Sequence, residues 1–335
     1  MSSDDDRRAI EKIRLPLWGS VVASDGASPW LVVDGLGERV EPVAVFLRDL
    51  AARDRSASSI RSYAVALLRW WRFLVVVGVR WDVATSAEVR DFVLWLGKAA
   101  KPMAGRRTAS RSTAGQVNPV TRKRSPGDGY RPATIRHSNA VLRSFYDFWL
   151  ERGGGPLINP VVVERYRGSR AYAHHNPMVP FRAEGRLRYN PRLQKRRPRC
   201  MPDALWEALF AAMGCNRDRA VLAIAVSTGA RAAELLGMRG ADIDWGDQLV
   251  RVTRKGTRAE QWLPASTDAF VWLRRYFSDI GGIVGAGDVV WRTANRRRGV
   301  HVALTYDSLR AVFRRANAKL GTNWTMHDLR HIVSA

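Results

Sequence analysis

Apolar residues recur at helical spacing along the first half of the chain, with polar residues filling the positions between them. A repeat of three to four residues places the apolar side chains on one face of a helix. The pattern predicts four helices: one from Glu41, one from the Ser-rich cap at 56–59 to Gly78, a third over Ser86–Lys98 and a fourth over about 132–152. Ser86 is the expected cap of the third helix.

The second half changes period. Val250 and Val252 alternate with polar residues, a turn follows at Lys255, and Leu263 lies on the expected return strand, so this stretch predicts a β-hairpin. The remaining periodic stretches predict helices, and these lie at about 203–213, 217–227, 230–238, 267–277, 305–320 and from 325 onward. Asp203 is the expected cap of the first of them.

These patterns predict a mainly α protein with a small β-hairpin sheet in its second domain. Residues 1–40 form a leader with short strands, and 41–160 form a helical domain. A Pro-containing basic linker over 161–200 separates it from a second domain over 201–335.

Charge adds a functional clue. The chain has 55 Lys and Arg against 31 Asp and Glu, for a net charge of +24. Residues 101–131 hold eight basic residues and one acid, and 165–199 hold eleven and one. Such segments suit DNA phosphates, although flexible solvated linkers are the alternative. The expected phosphate contacts are Arg106, Arg107, Arg111, Arg122, Lys123, Arg124, Lys195, Arg196 and Arg197.

Other partners fit less well. The basic segments lack the apolar helical face that a membrane surface requires. Two Cys and six scattered His give no metal-ligand spacing, so no metal is expected. With no apolar signal peptide and no run long enough to span a bilayer, the expected location is the cytoplasm.

Three short stretches carry candidate chemistry. In Thr228-Gly229-Ala230-Arg231, the Gly break predicts that Arg231 lies in the first turn of a helix, where a phosphate oxygen could bind. Glu234 could hold that guanidinium in place, and an ordinary helix-start ion pair is the alternative. Lys255 at the hairpin turn is either a proton donor or a solvated turn residue.

The third stretch is His327-Asp328-Leu329-Arg330-His331. On a helix, His327, Arg330 and His331 would be neighbours and could converge on one anion, or they could form a solvated polar face. In this order, the three stretches resemble the tyrosine site-specific recombinase (phage integrase) family. The helix over 59–74 is similar to a helix of that family's core-binding domain, and 134–160 is similar to the domain's last helix.

The resemblance implies a helical core-binding (SAM-like) domain followed by an α-rich catalytic domain that clamps duplex DNA. It also implies that Arg231, Arg330 and His327 bind the scissile phosphate and that Lys255 protonates the leaving oxygen. Glu234 and His331 would support them. In this family a Tyr forms a 3′-phosphotyrosyl bond without a cofactor, and the protein acts as a homo-oligomer on DNA.

The family's Tyr lies on a later helix, whereas this sequence stops five residues after Arg330 and contains no Tyr beyond it. Tyr276 and Tyr306 are expected to be packing residues. We therefore expect a C-terminally truncated recombinase or integrase that is inactive in cis. A non-catalytic DNA-binding regulator and a decayed integrase fragment are the alternatives.

Overall fold

The computed structural model describes residues 9–102, 113–164, 178, 185–193, 201–254, 256–293 and 302–329. The chain divides into two compact units. The first unit contains Met1–Arg111 and Gly127–Gln194, and the second contains Ser112–Pro126 and Lys195–Ala335. The division between Gln194 and Lys195 falls inside the segment predicted to be a linker.

The first unit has the four predicted helices with two small antiparallel strand pairs. In chain order its elements are β1 Ser20–Ala23, β2 Trp30–Val33, α1 Glu41–Ala52, α2 Ala57–Val77, α3 Ser86–Lys98, α4 Pro132–Leu150, β3 Val163–Glu164 and β4 Arg186–Leu187. Strand β1 pairs with β2, and β3 pairs with β4. The strand pair β3–β4 lies in the stretch that the sequence predicted to be a linker.

Local signals fix the ends of these helices. Ser56 caps α2 by accepting a hydrogen bond from the Ser59 N–H, and Gly78 ends it in the left-handed conformation with φ 68°. The expected cap of α3 was wrong by one residue, because the cap is Thr85. Glu88 completes a capping box there by accepting from the Thr85 backbone N–H at 2.8 Å.

Aromatic side chains fill the core of the first unit. Trp70 stacks on Phe73 with ring centroids 5.8 Å apart and meets Phe92 edge-on at 5.1 Å. The buried Trp70 indole N–H donates to the Tyr146 hydroxyl at 2.9 Å, and that hydroxyl donates to the Trp81 carbonyl at 3.1 Å. Burial raises the pKa of Tyr146 far above its ordinary value. The polar atoms of Trp70 and Tyr146 are thus paired within an otherwise aromatic core.

The second unit combines six helices with one three-stranded sheet in its described part. In chain order its elements are α5 Asp203–Ala211, α6 Asn216–Thr228, α7 Ala232–Leu236, β5 Ile243–Asp244, β6 Leu249–Thr253, β7 Glu260–Pro264, α8 Thr267–Asp279, α9 Tyr306–Leu320 and α10 Met326–Leu329. The sheet order is β5-β6-β7, with both pairs antiparallel.

The predicted hairpin is present, with Val250 opposite Leu263 and both buried. Strand β5 has only two residues, which is too short to show a period of two in the sequence. The N-cap of α5 is Pro202, so the expectation that Asp203 caps it was wrong by one residue. The prediction of a mainly α fold with a small hairpin sheet is confirmed.

The two tyrosines of the second unit differ in burial. Tyr276 is buried, and its hydroxyl donates to the Val290 carbonyl at 3.0 Å, so its predicted packing role is confirmed. Tyr306 is 52% exposed at the start of α9, so the expectation that it packs was wrong. The first position of an amphipathic helix can face solvent even when later residues of the helix are buried.

Candidate active site

The turn between α6 and α7 positions the first candidate residue. Gly229 ends α6 in the left-handed conformation, with φ 63°, and its N–H donates to the Ala225 carbonyl. The Thr228 hydroxyl donates to the Ile224 carbonyl at 2.7 Å and accepts from the Ala230 N–H at 3.2 Å. The chain therefore leaves α6 through a tight, internally bonded turn that leads directly into Arg231.

Arg231 is the N-cap of α7 and has extended backbone angles, whereas the sequence predicts that it lies in the first turn. The Glu234 carboxylate accepts from the Arg231 backbone N–H at 2.9 Å and from its Nη1 at 2.7 Å. Glu234 therefore occupies the backbone N–H of Arg231 at the start of α7. The Arg231 side chain is 44% exposed and that of Glu234 is 1% exposed.

A second guanidinium reaches the same carboxylate. Arg254 Nη1 lies 3.0 Å from Glu234 Oε2, and Arg254 Nε donates to the Gln261 side-chain oxygen at 2.7 Å. Arg254 directly follows β6, so Glu234 ties α7 to the hairpin. The position next to Arg254 in the chain is Lys255, which lies outside the described residues.

Sequence reasoning missed Arg254. Its only signal was that it precedes Lys255, because the approach of α7 to the end of β6 leaves no periodic trace in either segment. We call Arg231, Glu234 and Arg254 the Arg–Glu–Arg cluster. Two cations sharing one buried carboxylate are held in defined positions, and the cluster carries a net positive charge.

Buried packing also holds α7, the helix that carries Glu234. Trp291 is almost fully buried, and its indole N–H donates to the Leu235 carbonyl at 2.8 Å. The Trp291 ring stacks on Tyr276 with centroids 5.7 Å apart. Helix α7 also contacts α6, α9 and β6. This five-residue helix is therefore held by tertiary contacts and not by its own length.

His327 lies on α10 and is exposed, between the buried side chains of Met326 and Leu329. Helix α10 contacts α6, the helix that also supports α7. The Asp328 carboxylate accepts from the Thr325 N–H at 2.8 Å and from the Thr325 hydroxyl at 2.6 Å. The predicted site residues Arg330 and His331 lie outside the described residues.

The segment 113–126 also contacts the start of α10. Lys123 Nζ lies 2.5 Å from Asp328 Oδ2, and the two side chains are 29% and 19% exposed. The Lys123 ammonium also donates to the Asn323 carbonyl at 3.3 Å. Sequence reasoning assigned Lys123 to DNA phosphate. In the structure its ammonium binds a carboxylate and a backbone carbonyl of its own unit.

The neighbouring basic residues differ from Lys123. Arg122 and Arg124 are exposed, and Arg124 Nη1 donates to the Gly115 carbonyl at 3.0 Å. The other predicted phosphate contacts lie outside the described residues; these are Arg106, Arg107, Arg111, Lys195, Arg196 and Arg197.

Within the described ranges, no group of three or more His, Cys, Asp or Glu side chains is arranged to hold a metal ion. Among the same residues, no helix combines the length and the apolar character needed to span a membrane.

Both units of the chain resemble known protein families. The phage integrase family matches residues 204–335, and the phage integrase N-terminal SAM-like domain matches residues 43–115. Tyrosine recombinase XerD of Pseudomonas aeruginosa is 30% identical over 149 residues, which cover 42% of this chain and 49% of that protein. Transposase A of transposon Tn554 of Staphylococcus aureus is 22% identical over 249 residues, covering 73% and 61%. The chain thus spans less than two thirds of these relatives.

Two solved structures share the fold. The Tn1549 transposon integrase, in complex with circular intermediate DNA, matches with a TM-score of 0.54 at 14% identity, covering 87% of this chain and 85% of that one. A lambda integrase dimer bound to a COC′ core site matches with a TM-score of 0.54 at 15% identity, covering 88% and 87%. At these identities the likeness concerns the fold.

Proposed function

The chain belongs to the phage integrase family of tyrosine recombinases, and from this premise we propose that it binds duplex DNA for site-specific strand breakage and rejoining. The reaction would exchange one phosphodiester for another. A Tyr oxygen attacks phosphorus, the bond to the 5′-oxygen breaks, and a 3′-phosphotyrosyl bond stores the energy for rejoining. Neither a metal nor a nucleotide is needed to balance this step.

The observation that carries the proposal is the Arg–Glu–Arg cluster. Its buried Glu234 carboxylate orders Arg231, while 44% of the Arg231 side chain stays open to solvent. A guanidinium that is oriented before substrate arrives loses little freedom when it binds phosphate, so it can stabilise the charge that develops on nonbridging oxygens.

The other roles complete this proposal. Arg330 and His327 would bind the same phosphate as Arg231, with His331 in support, and Lys255 would give a proton to the leaving 5′-oxygen. Helices α7 and α10 both pack on α6, which supports a shared pocket within the second unit. Arg254 would hold the hairpin at Glu234 and so carry Lys255 toward the phosphate.

The attacking group is proposed to come from residues other than these 335. Tyr276 is buried with its hydroxyl bonded to Val290, and the sequence contains no Tyr after Tyr306. We expect no covalent adduct between the 335-residue chain and a nicked suicide substrate on a denaturing gel. An adduct that maps to the exposed Tyr306 would contradict this assignment.

Rescue in trans tests the pocket itself. This chain would be mixed with a full-length homologue that keeps its Tyr but lacks its own counterpart of Arg231. We expect strand cleavage that is lost when Arg231 in this chain is changed to Ala. Arg310→Ala is the matched control, because Arg310 is 69% exposed on α9 and forms a surface ion pair with Asp307. Cleavage that survives Arg231→Ala would remove the proposed role.

DNA binding has its own test. Arg106, Arg107, Arg111, Arg122, Arg124, Lys195, Arg196 and Arg197 remain the proposed phosphate contacts. Each contact releases counterions, so affinity should fall on the order of a thousandfold between low and moderate salt for six or more contacts. A gel-shift titration with flat affinity over that range would contradict the proposal. The mass of the complex on a two-site duplex would test assembly as a homo-oligomer.

A further inference from the structure

We propose that Lys123 is a positioning residue of the active site, which latches the start of α10, and with it His327, in place. We call the ion pair between Lys123 and Asp328, with the hydrogen bonds that surround it, the latch. The importance of His327 rests on the proposed function, whereas the latch is observed as contacts within the second unit. Lys123 lies between α3 and α4 in the sequence, 205 residues before its partner Asp328.

The segment around Lys123 has its own internal structure. The Asn118 side-chain oxygen accepts from the N–H groups of Val120 and Thr121 at 3.0 and 2.8 Å. The Asn118 N–H donates to the Lys123 carbonyl at 3.0 Å, and Val117 pairs with Arg124 as an antiparallel bridge. These bonds hold 117–124 as a compact turn that can present side chains in fixed directions.

Several bonds join this turn to the loop before α10. The Asn118 side-chain amide donates to the Gly321 carbonyl at 2.8 Å, and the Thr121 hydroxyl donates to the Asn323 side-chain oxygen at 2.5 Å. The Asn323 amide donates back to the Lys123 carbonyl at 3.1 Å. Thr121 is buried with 7% exposure, so this contact excludes water from part of the interface.

The Lys123 ammonium extends this contact onto α10 by binding the Asp328 carboxylate. Asp328 Oδ2 accepts hydrogen bonds from the Lys123 ammonium and from both the backbone N–H and the hydroxyl of Thr325. One carboxylate thus caps α10 and binds the latch at the same time. An isolated exposed ion pair contributes little, but this pair is largely shielded and belongs to a network, in which each member restricts the others.

The latch predicts different roles for the adjacent cations Lys123 and Arg124. Lys123 binds the start of α10, while Arg124 is exposed and its guanidinium donates to the nearby Gly115 carbonyl. Lys123 therefore positions α10 and is withdrawn from phosphate contact. Arg124 remains a proposed phosphate contact. Removing each charge should consequently affect different measurements.

The experiment compares Lys123→Met, Lys123→Arg and Arg124→Met in the full 335-residue chain. Amide hydrogen exchange reports on 325–329 without DNA, where we expect Lys123→Met to raise the rate about tenfold. Lys123→Arg should restore slow exchange, because a guanidinium can still bind Asp328. Arg124→Met should leave exchange in this segment unchanged. Unchanged exchange in α6 and α8 would show that Lys123→Met still folds.

Salt dependence supplies a readout that a merely structural role would not move. Arg124→Met should reduce the slope of log affinity against log salt by about 0.9, as expected for one phosphate contact on duplex DNA. Lys123→Met should leave this slope unchanged. If Lys123→Met lowers the slope and leaves exchange at 325–329 unchanged, Lys123 is a phosphate contact and the latch is wrong.

A third measurement links the latch to the pocket. Inorganic phosphate is titrated while the His327 ring resonances are followed by NMR. If the latch keeps α10 in its binding position, Lys123→Met should weaken the saturable shift about fivefold, since apparent affinity scales with the competent fraction. Equal affinity in Lys123→Met and the parent chain would overturn the latch. No saturable shift in the parent chain would instead overturn the proposed function, and the exchange experiment would still decide the latch.

Discussion

The two units are stabilised by different kinds of contact around their key elements. In the first unit, the 21-residue α2 packs Trp70, Phe73 and their aromatic neighbours into one buried cluster. In the second unit, the candidate site depends on a five-residue helix and on two carboxylates, Glu234 and Asp328, that bind cations. Long amphipathic helices need only a matching apolar face, whereas short ones need specific partners.

The comparison teaches where each unit should be sensitive. Removing a buried apolar side chain should lower the stability of the first unit most. The surrounding rings can relax only partly into the cavity that such a change leaves. Loss of one carboxylate should damage the site of the second unit while its core, around α6 and α8, persists. Hydrogen exchange in each unit separates these effects, since a single unfolding free energy is not defined for a two-unit chain.

The largest effect is expected for Phe92→Ala in α3. Phe92 is fully buried among aromatic rings, so its removal should lower the unfolding free energy of the first unit by about 3–5 kcal/mol. The measurement is denaturant-dependent exchange of the α2 and α3 amides. Leu94→Ala is the matched control on the same helix, because Leu94 is 50% exposed and should cost less than about 1 kcal/mol. Equal losses of unfolding free energy in Phe92→Ala and Leu94→Ala would contradict the dependence of the first unit on its buried aromatic core.

Glu234→Ala should have the next largest effect. It removes the shared partner of Arg231 and Arg254, and we expect the amides of α7 and the β6–β7 hairpin to lose about 1–3 kcal/mol of protection. The partly exposed guanidinium groups can turn to water, which limits the loss. Glu260→Ala is the control, since Glu260 is 62% exposed and pairs with Arg251 at the surface. A change confined to α8 would contradict this prediction.

The smallest effect concerns pH and His137 in the first unit. Burial, and then the nearby positive charge of Arg69, lower the pKa of His137 below its ordinary value of 6.5. The unfolded chain therefore binds more protons between those two values. Stability contributed by neutral His137 is full above about pH 6.5 and is lost as pH falls to the lowered pKa.

Exchange of the α2 and α4 amides measured from pH 7.5 to 5 tests this dependence, after correction for the intrinsic exchange rates. His137→Gln should flatten the profile, because Gln can still bond the Ser62 hydroxyl, which lies 2.8 Å from the His137 ring nitrogen. An unaltered profile in His137→Gln would assign the pH dependence to another group. The pH dependence of amide exchange in the second unit should be the same in His137→Gln and the parent chain.

The helices of the first unit were predictable because each carries a long apolar stripe and a local end signal. Glu41 begins α1 and Gly78 ends α2 as the sequence indicated. The hairpin of the second unit was equally readable from Val250 and Val252, whose alternation is a property of neighbouring residues alone. The order of the motifs around Arg231, Lys255 and His327 was also sufficient to indicate the family.

The sequence by itself determined the helices, the hairpin, the basic segments and the candidate cations, because periodicity, capping and charge are written in consecutive residues. Tertiary structure alone decided that Arg254 shares Glu234 with Arg231, that Trp291 holds α7, and that Lys123 binds Asp328. Such pairings depend on which surfaces meet after folding. A lysine in a basic run looks the same in sequence whether its partner is a phosphate or a carboxylate 205 residues away.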